Sequence, residues 1–361
     1  MNDYLKKISG PGEKTAVLYE ICPSSSVKRY IISTPYTRKI LNKPEIHGFE
    51  YTYLLRKGLH CFLKTPFAEK FFKDSDGSKY SALHFLRGGL NFNFIEQFYR
   101  CYGFTKVNSS FMTSQRVQKG EHWKIKHDQY RKFALEGVTT LIAGDVIATG
   151  TTLKNGFDCV LEMPVKLDSF IFFTIGTPYT EKIINLYEEK FRKKNKNFKA
   201  YIFYIEGRFE LIEKRGELPF AVEGTDLVRK NALLSPEFEA SQTISSQIER
   251  CAVYDVGARA FNWRKHFRDI VEYWGQLSES EFSVPEIYNL RWPFSYGDFD
   301  EYEKAKKKVW PDISKTVLKK MYEKEIKMLL NAIKLDSWEF FRQRLKFLKN
   351  SAQTIKWRKD V

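Results

Sequence analysis

Cysteine is scarce in this chain of 361 residues, and no pair of cysteines has the spacing of a metal site. An odd number of scattered thiols favours free cysteines in a reducing compartment over a disulfide framework. Long apolar runs are also missing, since the longest, such as residues 170–173, are far too short to span a bilayer. Residues 1–10 are polar and charged and do not resemble a secretory leader. We therefore expect a cytoplasmic protein with no membrane partner.

Acidic residues are outnumbered, because 60 Lys and Arg stand against 44 Asp and Glu and leave a formal charge of +16. Such a bias favours anionic partners: nucleotides, nucleic acid or an acidic protein. The excess is uneven, since residues 301–361 hold 17 Lys and Arg against 8 Asp and Glu, a surplus of 9. A hydrophobic content of 43% is enough for one large domain or two modest ones.

The most informative stretch is residues 139–153, which read TTLIAGDVIATGTTL. An apolar run of strand length ends at Gly144 and Asp145, and a small-residue loop leads into a segment with helical character. The backbone N–H groups of such a loop and the positive end of the helix dipole attract an anion. Asp145, just past the carboxyl end of the strand, is placed to accept hydrogen bonds from sugar hydroxyls. The predicted phosphate-binding residues are Ala148, Thr149, Gly150, Thr151 and Thr152.

This stretch resembles the phosphoribosyl pyrophosphate loop of the type I phosphoribosyltransferases, in which four apolar residues, two acidic residues and two apolar residues precede Ala-Thr-Gly-x-Thr. Asp145 matches the second acidic place, whereas the first is Gly144, a departure that concerns catalytic strength rather than ligand type. The resemblance implies a five-stranded parallel sheet flanked by helices, with a hood. It also implies Mg²⁺ as cofactor and Asp145 as a catalytic residue and metal ligand. The alternative is an ordinary strand-to-helix turn in another α/β protein.

A second strand, glycine loop and helix pattern covers residues 80–104, where Arg87, Gly88 and Gly89 follow an apolar run. It resembles the pyrophosphate loop of the same family. Two glycines leave backbone amides open to an anion, and Arg87 can offer a bidentate clamp. An Arg-Gly-Gly turn alone is more often a plain loop, but this one precedes Asp145 in the order that the family has.

Other site residues follow from position in the family pattern. The polar residues 118–131 match a mobile loop that closes over the substrate and brings a basic side chain to the pyrophosphate, for which Lys119 is one candidate, beside Lys124, Lys126 and Arg131. A solvated loop is the alternative. Strands expected near residues 82, 110, 141, 171 and 202 make up the five of the family core. Phe209 and Asp226, beyond the last of them, are candidates for contact with the base.

A polar stretch suggests a boundary near residue 245, between a phosphoribosyltransferase-like domain with its hood (1–245) and a basic, mainly helical domain (246–361). Basic and aromatic residues on these helices suit contact with nucleic acid or a partner protein, although a solvated face on packing helices is the alternative. Two functions remain open. One is transfer of ribose 5-phosphate between pyrophosphate and a nitrogen base. The other is a weakened or inactive relative, for example an anti-phage defence component, whose helical domain binds nucleic acid, a ribonucleoprotein or a partner protein. A homo-oligomer is also among the expected assemblies.

Overall fold

The structure is a computed structural model that describes residues 3–8, 15–72, 76–119 and 122–353, with the backbone alone for residues 114–119, 122–129 and 353. The strands are β1 (Tyr4–Lys7), β2 (Val17–Cys22), β3 (Lys28–Ser33), β4 (Tyr80–Phe85), β5 (Asn108–Lys119), β6 (His122–Lys132), β7 (Thr140–Ile147), β8 (Ser169–Gly176), β9 (Lys199–Leu211) and β10 (Leu227–Leu234).

Helices connect the strands and continue beyond the last of them. They are α1 (Pro35–Asn42), α2 (Gly48–Leu63), α3 (Pro66–Phe72), α4 (Phe94–Tyr102), α5 (Thr151–Glu162), α6 (Pro178–Lys194), α7 (Pro236–Ala240), α8 (Ile244–Gln247), α9 (Val256–Phe261), α10 (Trp263–Glu279), α11 (Val284–Arg291), α12 (Phe299–Val309), α13 (Lys315–Lys334) and α14 (Ser337–Gln353). The helix predicted after the glycine loop is α5, and it ends two residues before Pro164.

One mixed sheet joins the described strands in the order β1-β2-β3-β9-β8-β7-β4-β5-β6, with β10 antiparallel to β9. The six strands from β3 to β5 in that order run parallel. The central strands β7 and β8 carry apolar runs because helices cover both faces; seven of the eight residues of β8 are buried. An α/β fold with a helical C-terminal region is therefore confirmed.

The expected count of five strands is wrong, because ten strands join the sheet within the described residues alone. All five predicted core strands exist as β4, β5, β7, β8 and β9, but β3 adds a sixth parallel strand against β9. β3 is buried at five of its six positions, and β1 and β2 extend the same side of the sheet.

The loop expected at residues 118–131 is also corrected, since β5 and β6 form an antiparallel hairpin whose register runs from Phe111↔Lys132 to Lys119↔His122. A hairpin satisfies its backbone hydrogen bonds between its own strands, so it does not need the apolar face that a buried strand needs. A polar sequence therefore does not distinguish a protruding hairpin from a loop.

The strand order reverses between β4 and β7. From β4 the chain passes through α4 to β5 on one side, and after the hairpin it returns to β7 on the other side of β4. In open α/β sheets, ligands bind outside the carboxyl ends of the strands at such a reversal. Both glycine loops that the sequence singles out begin at the carboxyl ends of this pair of strands.

The C-terminal helices pack into the same hydrophobic core as the sheet. Trp274 of α10 and Leu348 of α14 share one buried cluster with Phe62 of α2 and Phe173 of β8. Arg259 of α9 is 1% exposed, and its guanidinium donates hydrogen bonds to the carbonyl groups of Ile40, Lys43 and Ile46. Residues on the two sides of 245 are thus joined by apolar and polar contacts, and the domain boundary stays a prediction. Among the described helices, none combines the length and the apolar character that crossing a membrane requires.

Candidate functional site

The turn between β7 and α5 requires glycine for two reasons. Gly150, which precedes the helix, has φ of +77°, a left-handed conformation that residues with a side chain rarely adopt. A Cβ atom at this position would also lie 2.1 Å from Cδ1 of Ile183 on α6. The glycine of the predicted loop therefore determines both the direction of the turn and the close packing of α5 on α6.

The start of α5 has no side-chain cap. The first helical hydrogen bond runs from the Lys154 N–H to the Gly150 carbonyl, at 2.9 Å, so the preceding amides face the loop. The Thr149 and Thr151 hydroxyls lie 3.1 Å apart, and the Thr177 hydroxyl donates to the Ala148 carbonyl at 2.7 Å. The predicted residues 148–152 thus form one continuous turn, held by the residue that follows β8.

The Arg-Gly-Gly turn touches this corner directly. It follows β4 and continues into a 3-10 turn, Gly88–Asn91. A Cβ atom on Gly88 would lie 2.5 Å from Oδ1 of Asp145, and one on Gly89 would lie 3.0 Å from the carbonyl oxygen of Gly144. Both positions require glycine because the end of β7 passes so close. The structure therefore brings Gly88, Gly89 and Asp145 together.

Arg87 begins the 3-10 turn, and its side chain is exposed. Within the described part of the chain, its guanidinium forms no ion pair with a carboxylate closer than 4 Å. A cation without a carboxylate partner, next to two glycines, leaves its charge available to an anion.

Asp145 is half-buried, and its Oδ1 accepts a hydrogen bond from the Val146 N–H at 2.8 Å. That bond orients the carboxylate at the carboxyl end of β7, between the two glycine loops. Gly144, in the place of the family's first acidic residue, lies under the ring of Phe92. A Cβ atom on Gly144 would lie 2.6 to 2.7 Å from three ring carbons of Phe92. The space for a first acidic side chain is therefore occupied by an aromatic ring.

Two residues that position the Arg-Gly-Gly turn were missed by sequence reasoning. Asn91 is fully buried; its Nδ2 donates to the Gly88 carbonyl at 3.0 Å, and its Oδ1 accepts from the Thr52 hydroxyl at 3.0 Å. His84 is 4% exposed, hydrogen-bonds the Gly89 backbone, and burial lowers its pKa, so the ring is neutral. Asparagine in a glycine-rich turn carries no distinctive signal, and His84 has the appearance of an ordinary strand residue.

A wall of the site comes from the C-terminal region. A Cβ atom on Gly88 would lie 3.1 Å from Cγ2 of Val256, and one on Gly257 would lie 4.0 Å from the Cβ of Arg87. Asp255, which precedes α9, is exposed and lies 3.6 Å from the Lys265 ammonium group. Nothing in the sequence connects these residues to a turn so far away in the chain, because only the packing of α9 against the 3-10 turn brings them there.

The two residues predicted to contact a base have structural partners instead. Phe209 is 0% exposed and packs edge-on against Phe238, with ring centroids 6.0 Å apart. Asp226 is 2% exposed, pairs with Arg250 at 3.0 Å and accepts from the Val222 N–H at 2.8 Å. Burial raises the pKa of Asp226, and Arg250 opposes that shift. The prediction is therefore corrected, since neither side chain offers a face to a ligand.

The structure shows the side-chain position of only some of the basic residues that were predicted to approach the pyrophosphate. Lys119 is the last residue of β5, and its side chain lies outside the described residues, as do those of Lys124 and Lys126. Arg131 lies on β6, 3.8 Å from the Glu162 carboxylate, rather than in a loop. Among the described residues, no group of three or more His, Cys, Asp or Glu side chains could hold a metal ion by itself.

No family model matches the chain, and no curated protein matches it. Similar solved structures include the AQ2163 protein from Aquifex aeolicus, with 15% identity over 48% of this chain and 84% of that one, at a TM-score of 0.34. They also include a hypoxanthine phosphoribosyltransferase from Staphylococcus aureus, with 16% identity over 46% of this chain and 74% of that one, at a TM-score of 0.24. Scores this low indicate weak likeness and carry no functional argument.

Proposed function

We propose that this protein binds a ribose phosphate, either phosphoribosyl pyrophosphate or a nucleotide, in the crevice between the β4 and β7 loops. The observation that supports this most strongly is the contact between the two loops at the reversal of strand order, where Gly88 lies against the Asp145 carboxylate. Two glycine loops with unrelated roles would have no reason to lie in contact with each other.

Each group in the crevice has a chemical role in this proposal. The amides at the start of α5 and the hydroxyls of Thr149, Thr151 and Thr152 hold the 5′-phosphate. Asp145 accepts hydrogen bonds from the ribose hydroxyls. The amides of the Arg-Gly-Gly turn and the Arg87 guanidinium hold the pyrophosphate.

Mg²⁺ fits this donor set, because it is commonly held by one or two carboxylates together with substrate phosphates. Asp145 would supply the carboxylate, and the cation would neutralise pyrophosphate charge. The absence of a preformed cluster of three metal-binding side chains among the described residues is compatible with an ion that arrives with its ligand.

The residues of the crevice favour a protein that binds the ligand and transfers it weakly over an efficient transferase. Transfer to a nitrogen base needs charge stabilisation at the ribose and a place for the base. Phe92 occupies the space of the first acidic side chain, and Phe209 is inside the core. A regulator or effector whose basic helices contact a nucleic acid or a protein therefore agrees better with the site than a salvage enzyme. The transferase remains the second candidate because Asp145 is retained.

Calorimetric titration with phosphoribosyl pyrophosphate and Mg²⁺ tests the proposal. Asp145→Asn should weaken binding roughly tenfold to a hundredfold, since one charge-assisted hydrogen bond is worth about 1.5–3 kcal/mol. The matched control is Asp300→Asn, an exposed aspartate on α12 at the other end of the sheet order, next to β1. If neither phosphoribosyl pyrophosphate nor nucleotides bind the wild type, the proposal is wrong. Pyrophosphate release with a panel of bases separates the candidates: release identifies a transferase, and binding without release a regulator.

A further inference from the structure

A second polar cavity of about 400 Å³ lies between α1, the segment around α8, and α14, away from the crevice described above. Four cationic side chains line it, Arg38, Lys39, Lys43 and Arg344, against the single carboxylate of Glu45. Cavities of roughly 300–1,000 Å³ are the usual size for small-molecule sites. The imbalance of charge indicates an anionic occupant.

Two of these cationic side chains are fixed by contacts with other residues of the protein. Arg38 donates through Nη1 to the Ser33 hydroxyl at 2.7 Å, and that hydroxyl donates to the buried Glu206 carboxylate at 2.6 Å. Arg344, with 13% of its side chain exposed, pairs with Glu45 at 3.0 Å. Cations whose side chains are already ordered lose little conformational entropy when a ligand binds.

The remaining charge is unbalanced. The one carboxylate of the lining is paired with Arg344, and Lys39 is 3.2 Å from Glu50, in a pair that is exposed on both sides. In the part of the chain that the structure describes, Arg38 and Lys43 have no carboxylate within 4 Å. Arg38 lies on α1 and Lys43 directly follows that helix, so both charges belong to the same wall of the cavity; the buried Glu206, which Arg38 reaches through Ser33, offsets part of the Arg38 charge, and the Lys43 charge has no such partner among the described residues.

We infer that this cavity is a second anion site, which binds a phosphate monoester of nucleotide size. Several cations converging from two helices match a group with two charges and three acceptor oxygens better than a single carboxylate. Ser245 on the opposite wall has a hydroxyl suited to sugar or base atoms, whereas the Ser241 and Thr243 hydroxyls are engaged with Phe238 and Ser246. A cavity of this size accommodates a small molecule.

The site is separate from the first crevice. It lies at the carboxyl end of β3, whereas the first lies at the carboxyl ends of β7 and β4. Three strand intervals separate β3 from β7, which places the two sites roughly 14 Å apart or more on the same edge of the sheet. A ligand here would bridge α1 and α14, and so connect the sheet to the C-terminal helices.

The test is calorimetry of the full chain with AMP, GMP, CMP, UMP and inorganic phosphate at constant ionic strength. Lys43→Gln removes an exposed, unpaired charge, so it should leave the fold intact and weaken nucleotide binding about tenfold or more. Arg38→Gln should weaken it at least as much. Lys196 is an exposed lysine between α6 and β9, at the amino ends of the parallel strands. Lys196→Gln is therefore the charge-matched control, and this variant should bind nucleotide as the wild type does.

Arg87→Gln assigns the binding to one site or the other, because it changes only the first crevice. Binding that falls with Lys43→Gln and survives Arg87→Gln supports the second site. The inference is overturned if no monophosphate or phosphate binds the wild type, if Lys43→Gln binds normally, or if Arg87→Gln alone abolishes binding. Far-UV circular dichroism of each variant checks that the fold is retained.

Discussion

Replacing Gly144 by alanine tests the packing that separates this chain from the phosphoribosyltransferase pattern. The added Cβ would meet three carbons of the buried Phe92 ring at 2.6 to 2.7 Å, well inside van der Waals contact. Overpacking of this kind costs about 1–3 kcal/mol. Gly144→Ala should therefore lower the free energy of unfolding by that amount.

The same substitution should behave differently once the ring is removed. Phe92→Ala alone costs about 3–5 kcal/mol, because it leaves a cavity under β7. In that background Gly144→Ala meets no ring, and replacing glycine within a strand gains roughly 0.5–1 kcal/mol. The effect of alanine at 144 should thus change by roughly 1.5–4 kcal/mol between the two backgrounds, a coupling that a double-mutant cycle measures directly.

Urea unfolding of the four proteins, followed by far-UV circular dichroism, gives this coupling. Gly275→Ala on α10 is the control, since a Cβ there would meet no atom within 4 Å. It should stabilise both backgrounds equally, by about 1 kcal/mol. A cost below about 0.5 kcal/mol for Gly144→Ala, or the same cost with and without Phe92, would refute the packing explanation of the missing acidic residue.

The remaining predictions concern the turn, one buried acid and the junction with the C-terminal helices. Gly150→Ala should lower the free energy of unfolding by at least about 1–2 kcal/mol because of the left-handed φ, and the collision with Ile183 adds to that loss. The variant should also fail to bind phosphoribosyl pyrophosphate in calorimetry. A Gly150→Ala variant of normal stability would contradict this prediction. Burial raises the pKa of Glu206 to about 7. Between about pH 4.3 and 7 this carboxyl is therefore protonated in the folded state while the unfolded carboxyl, with a pKa of about 4.3, has lost its proton. Its contribution to stability is present below about pH 4 and is lost as the pH rises to 7, by roughly 3 kcal/mol. Glu206→Gln should remove this loss in unfolding curves measured from pH 4 to 8, and an unchanged pH dependence would exclude the assignment. Arg259→Leu removes the donor of the buried Ile40 and Ile46 carbonyl groups and one of the two donors of the Lys43 carbonyl, and it should destabilise the whole chain by about 2–5 kcal/mol; a loss confined to the C-terminal helices would show that they fold separately.

Local features of the site were predictable because the residues that make them are adjacent in the chain. A strand, a glycine that must adopt positive φ and a helix start can be recognised within residues 139–153, and the structure places them as β7, Gly150 and α5. The strand-loop-helix order around Arg87 is equally local.

Other features depend on which surfaces pack together, and composition did not reveal them. The N-terminal strand β3 joined the main sheet because β9 offers it a free parallel edge. Polar residues formed a hairpin because β5 and β6 satisfy each other's backbone. Phe209 turned inward because Phe238 lies beside it in the core. In each case two segments far apart in the chain had to meet before the position of a side chain was decided.

The amino-acid sequence by itself determined the turn at Gly150, since the left-handed φ and the start of α5 depend on neighbouring residues. It also determined the basic charge of the molecule and the apolar strands that must be covered on both faces. Only the tertiary structure decided that Phe92 covers Gly144, that Val256 walls the Arg-Gly-Gly turn and that Arg259 joins the C-terminal helices to α1. Those contacts lie between distant parts of the chain, and close packing of the whole core selects them.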